Sequence, residues 1–196
     1  RPVRELLGAN WGHNFFRYAA CDYCDDVFAE TADFSAGDAW LPEYERDSRG
    51  TSIAVVRNPE LGELVATARK EGRLDFMPTT PDVLGETQRG GLRDRREGLA
   101  YRLYLKRKKK IWVPAKRVAP GRDHVAAGRQ RLYRFRTATG IASHRCWQKA
   151  VRRRDYGWFA SRMRSHIRDL QEAHLSFFER GAYRIRNFLR RALGRS

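Results

Sequence analysis

Cysteine and methionine are scarce in this sequence of 196 residues, at three and two copies, and acidic residues nearly vanish from its second half. Cys21, Cys24 and Cys146 cannot form a disulfide framework, because one is always left over and two stand only three positions apart. A reducing, cytoplasmic compartment is the expectation. No apolar run approaches the ~20 residues that span a bilayer as a helix, which leaves a soluble or peripheral protein. No signal-peptide pattern opens the chain and its first residue is Arg1, so it reads as a fragment of something longer.

What is present is globular: 41% hydrophobic and 12% aromatic residues suffice for a core. The net charge of +17 conceals an asymmetry, since residues 1–100 hold 13 Lys+Arg against 18 Asp+Glu, and residues 101–196 hold 27 against 5. An anionic partner for the back half is one cause, and a genome that prefers arginine codons is the other, 33 of the 40 basic residues being arginine.

Along the chain, residues 1–20 read as a short helix and an aromatic-rich extended lead-in. His13 is a candidate ligand or, as a lone histidine, a packing residue. Cys21-Asp22-Tyr23-Cys24 comes next. The C-x-x-C spacing lets two sulfurs converge on a metal or cluster, or on each other as a redox pair; two buried, unliganded cysteines are the bland alternative. Asp22, Asp25 and Asp26 crowd the pair and oppose an activated thiolate. Neither a zinc site nor a four-iron cluster closes from this chain, because each needs four ligands and no second pair follows at suitable spacing.

Small residues interspersed with acids from Ala32 to Trp40 predict a strand ending at Gly37-Asp38, where glycine admits a ligand close to the backbone. Thr51 to Arg57 predicts a buried strand pairing with the first across a polar loop. Pro59 opens an amphipathic helix using Leu61, Leu64, Val65 and Ala68, stopped by Gly72. A short strand at Leu74 to Met77 is expected next. Asp82 is read as the cap of a further helix, Gly90-Gly91 as a break, and Leu92, Leu99, Leu103 and Leu105 as the apolar positions of a long helix ending in Lys106-Arg107-Lys108-Lys109-Lys110. That basic run suits a phosphate contact or a solvated helix end. Beyond a linker marked by Pro114 and Pro120-Gly121, one helix runs through Cys146 and Trp147. Apolar stripes come after it at Phe159, Met163, Ile167 and Leu170, and at Ile185, Phe188, Leu189 and Leu193. Cys146 has no partner at ligand spacing and is read as structural. The expected class is α+β, a small mixed sheet with flanking helices followed by a basic, mostly helical C-terminal region.

Cys-x-x-Cys-x-Asp, then Ala-Asp-x-Ser-x-Gly-Asp-x-Trp, then Asp47-x-x-Gly50-x-Ser52 leading to a hydrophobic strand and Arg57, resembles the C-terminal domain of the coenzyme F-420 hydrogenase/dehydrogenase beta-subunit family. The resemblance runs from about Trp11 to about Arg117. It implies a domain over residues 1–118, a basic helical extension over 119–196, and an upstream half that is absent. It further implies an iron-sulfur flavoprotein that passes electrons between a cluster, flavin adenine dinucleotide (FAD) and a deazaflavin or other organic acceptor. Cys21 and Cys24 would then be cluster ligands. Asp33, Ser35, Gly37, Asp38 and Trp40 would line the flavin region with Ser52 and Arg57 near it, the arginine on a phosphate or the flavin's electron-rich edge. Plainer roles stand beside these: a turn cap for Asp38, a core aromatic for Trp40, a strand-end charge for Arg57. The Gly37-Asp38-Ala39-Trp40 form is similar to relatives encoded with bacterial polysaccharide-synthesis genes.

The competing class is a binding module. Basic residues interleaved with aromatics suit nucleic acid, and basic amphipathic helices suit an anionic membrane surface; the helical stripes favour the membrane. A tail that packs on the missing half or on a redox partner subunit is the third use of the same residues. A small zinc protein needs ligands the chain does not supply.

Overall fold

The computed structural model describes residues 2–173 and 175. The chain divides into two compact units: one takes in the chain up to Cys24 together with the chain from Glu97 onward, and the other is Asp25–Arg96. The class is α+β.

The Asp25–Arg96 unit is built on a hairpin of β1 (Phe34–Asp38) and β2 (Ser52–Val56). The strands are antiparallel, with Ser35 opposite Val55, Gly37 opposite Ile53 and Asp38 opposite Ser52. The mixed sheet expected from sequence is therefore one antiparallel pair among the described residues. Helix α1 (Pro59–Lys70) comes next, with Pro59 in its first turn and Asn58 accepting the Leu61 amide as N-cap. Of its expected apolar face only Ala68 is buried, and Leu64 is 64% exposed. Leu74 to Met77 forms no strand, and Met77 is solvent-exposed. Helix α2 (Pro81–Thr87) is capped by Thr80 rather than Asp82: the Thr80 hydroxyl accepts the Val83 amide, so the cap precedes the proline. Gly90 and Gly91 do not break the chain but sit inside α3 (Arg89–Arg93). The unit's fully buried residues are small, namely Ala39, Ala68 and Thr87.

In the other unit, three 3-10 turns carry residues Val3–Glu5, Trp11–His13 and Ala19–Asp22 in place of the expected helix and extended lead-in. A π turn, Asp94–Gly98, precedes α4 (Leu99–Lys108). Helices α5 (Ala127–Arg153) and α6 (Tyr156–Glu172) then form an antiparallel hairpin. Arg154 adopts a left-handed conformation at φ 52°, and Asp155 caps α6 by accepting the Trp158 amide. The stripe read from sequence is the seam: Phe159, Met163 and Leu170 are buried against α5, where Leu132 and Ala150 face them. Leu99 and Leu103 are fully buried, as their spacing predicted. The stripe expected at Ile185, Phe188, Leu189 and Leu193 lies outside the described residues.

Candidate functional site

The two thiols are held by a segment docked on α5. Gly140 lets that segment approach, since a Cβ there would stand 3.3 Å from the Asn14 carbonyl. The Ser143 hydroxyl accepts the Phe16 amide at 2.8 Å and donates to the Gly140 carbonyl, while Arg136 donates to the Gly12 carbonyl. Phe15 and Phe16 pack on Phe159, and Phe16 also lies edge-on to Trp147. Asn14 and Phe16 both take positive φ, at 58° and 57°, a backbone path that these contacts enforce. His13 belongs to this packing: its Nδ1 is buried without a hydrogen-bond partner, and burial, then the Arg136 charge, lower its pKa.

Cys21 and Cys24 lie at and just beyond the turn Ala19–Asp22, half-buried and not disulfide-bonded. Arg17 donates to the Cys21 carbonyl at 2.7 Å. Between the thiols Asp22 is buried, with its carboxylate 4.0 Å from Arg102 Nε and 3.7 Å from Lys106 Nζ, and Lys106 lies over the Tyr23 ring. The acid expected to crowd the cysteines is thus neutralised by α4. Among the described residues no group of three or more His, Cys, Asp or Glu side chains is arranged to hold a metal ion. The donor set is therefore two thiols, half of what a four-iron cluster takes.

The flavin candidates belong to the other unit, and strand alternation sorts them onto two faces. Asp33, Ser35, Gly37 and Arg57 share one; Asp38, Ser52 and, continuing the alternation, Trp40 share the opposite one with Ala36 and Ala54. On the first face Arg57 is committed: its guanidinium donates to the carbonyls of Phe28, Ala29 and Ala32 and to the Ser35 hydroxyl, at 3.0 to 3.3 Å. Its backbone amide donates to the Asp33 carbonyl at 2.8 Å, prolonging the ladder. Asp26 closes the same turn by accepting the amides of Phe28 and Glu30. Arg57 thereby ties a loop to the sheet. On the second face Asp38 and Ser52 lie directly opposite one another, both exposed, and Trp40 is 60% exposed. Small alanines beneath polar edges and one indole suit a flat heterocycle, so this face fits a flavin. Gln88 donates to the Asp38 carbonyl at 2.8 Å and steadies the strand end.

A polar cluster absent from the sequence reading lies where α4 and α5 meet. Tyr133, 1% exposed, donates to Glu97 at 2.8 Å, and Arg129 hydrogen-bonds both. Gly98 is required here, since a Cβ would stand 2.7 Å from the Tyr133 ring. Burial first, then the hydrogen bond to Glu97, push the Tyr133 hydroxyl up to about 12. Burial disfavours the Arg129 charge, but its bonds to Glu97 and Tyr133 outweigh that and raise its pKa. Only the i, i+4 spacing of Arg129 and Tyr133 was visible locally; Glu97 comes from a distant turn.

A two-stranded hairpin with a paired-thiol segment defines a small α+β domain of the kind found in redox beta subunits. Residues 3–82 match the family described as the C terminus of the coenzyme F420 hydrogenase/dehydrogenase beta subunit, and this part of the chain belongs to that family. The match ends at Asp82, short of Arg117, where the resemblance was expected to end. No curated protein and no solved structure matches the chain.

Proposed function

We propose that the chain carries the C-terminal domain of an iron-sulfur flavoprotein oxidoreductase that passes electrons between a cluster, FAD and a deazaflavin or other organic acceptor. The family match over residues 3–82 carries the reading. The Asp38–Ser52–Trp40 face supports it, because it offers hydrogen-bonding groups and an indole over small residues. The sparse burial of the unit supports it too: a two-stranded hairpin without large buried side chains gains stability from a further surface. When bound, FAD supplies both hydride and single-electron chemistry. The chain's own part is to bind and orient. Asp38 and Ser52 fix the polar edge of the ring, Trp40 covers it, and Arg57 with Asp33 and Ser35 holds the opposite face in shape.

The two thiols of Cys21 and Cys24 do not complete a four-iron site, and no step is routed through one. The remaining ligands are assigned to an upstream half of the protein or to a redox partner. The Gly37-Asp38-Ala39-Trp40 form supports kinship with the bacterial relatives encoded beside polysaccharide-synthesis genes, and such an enzyme would work in the cytoplasm. The test is FAD binding followed by flavin fluorescence. Asp38→Ala and Ala54→Arg should each weaken binding at least tenfold, while Ser35→Ala leaves it within twofold. Equal binding by all three variants and the parent would overturn the assignment of the face.

A further inference from the structure

The segment Arg107–Trp112 carries a feature that neither the hairpin nor the thiols use. From Leu99 to Arg122 the sequence contains no acidic residue. Within that stretch Arg107, Lys108, Lys109 and Lys110 are all exposed, and none of their side chains forms an ion pair among the described residues. A helix C-terminus favours cations in its last turn, which accounts for Lys106, Arg107 and Lys108. It does not account for Lys109 and Lys110, which lie past the helix end, or for the two residues after them. Ile111 is 47% exposed and Trp112 is 78% exposed. The chain reaches these two residues through Lys110 in a left-handed conformation, φ 57°, with the Ile111 amide bonded back to the Lys106 carbonyl. The cations and the apolar pair are therefore presented by one fixed turn.

We infer that this turn is a docking element for an anionic lipid surface, with the cations among the headgroups and Ile111 and Trp112 at the acyl boundary. Two features select the partner. Clustered lysines beside a polar-apolar boundary gain binding from a negative leaflet, and tryptophan prefers the headgroup level. The exposed aliphatic Ile111 finds no use on a nucleic acid, which takes cations and stacking rings, but is accommodated by lipid. No helix among the described residues is long and apolar enough to cross a membrane, so the contact would be peripheral. The inference is independent of the flavin reading.

The test is sedimentation of the full chain with vesicles of phosphatidylcholine alone, or with phosphatidylserine added, across salt concentrations. Binding should require phosphatidylserine and weaken as salt rises. Lys108→Gln with Lys109→Gln should reduce partitioning about 30-fold, from roughly fivefold per cation. Arg145→Gln with Lys149→Gln, an equal charge change on α5, should reduce it by less than a third of that factor. Ile111→Ala with Trp112→Ala, at constant charge, should reduce it at least fivefold, with the helical circular dichroism unchanged. Binding that is indifferent to the apolar pair, equal loss from both charge pairs, or tighter binding to RNA than to vesicles would each overturn the inference.

Discussion

Replacing Tyr133 by phenylalanine removes one hydroxyl from a buried cluster and tests the packing of α4 on α5 in two ways. The hydroxyl donates to Glu97 at 2.8 Å and is bonded by Arg129, so its loss leaves a half-buried carboxylate and guanidinium with one partner fewer. Losing such a bond costs about 1–3 kcal/mol near neutral pH. The second effect is alkaline. The folded protein holds the Tyr133 proton up to about 12, while the unfolded chain releases it near the ordinary value of 10.0. A tyrosine whose pKa is raised in the folded state stabilises fully below its unfolded pKa, and that contribution is lost as pH rises through the folded value. Between pH ~10 and ~12 the parent should therefore lose about 2–3 kcal/mol that Tyr133→Phe does not lose. Urea unfolding at a series of pH values, followed by circular dichroism, measures both. If the variant's stability falls over that range as steeply as the parent's, the Tyr133 proton is not held as described and the reasoning fails.

Gly98→Ala should destabilise by about 1–2 kcal/mol, because overpacking against the Tyr133 ring and Arg102 exceeds the helix-propensity gain; a stabilised variant in urea unfolding would show that the ring can yield. Thr139→Val should stabilise by roughly 1 kcal/mol, since the Thr139 hydroxyl is buried without a hydrogen-bond partner, and an unchanged or lower melting temperature would speak against that. Arg57→Ala should cost about 1–2 kcal/mol by releasing the loop carbonyls of residues 28–32, with limited proteolysis cutting that loop first; Arg57→Lys should recover only part, having no planar fork.

The elements with strong local signals were legible in the sequence. Pro59 and Asn58 start α1, the alternation around Gly37-Asp38 ends β1, and the spacing of Phe159, Met163 and Leu170 marks the α5–α6 seam. Where the reading and the structure part, a tertiary term decides. Gly90 and Gly91 stay helical because the helical turns on either side carry them, and a glycine costs only about 1 kcal/mol there. Leu74 to Met77 has the composition of a strand but no strand to pair with. The acids around the cysteines looked uncompensated because Arg102 and Lys106, which neutralise Asp22, lie some eighty positions on. For the same reason Arg57 read as a free cation, although the carbonyls it serves precede it by 25 to 29 residues. The Glu97–Arg129–Tyr133 cluster had no sequence signature beyond one i, i+4 pair.

The central claim, that the chain is part of a flavin- and cluster-dependent oxidoreductase, is tested most directly by the protein purified without oxygen from its native host, with any partner retained. Its absorbance spectrum and its iron and flavin contents should show bound FAD together with an iron-sulfur cluster. Substituting serine for Cys21 and Cys24 should remove iron while leaving FAD in place. A colourless preparation free of iron and flavin would contradict the account.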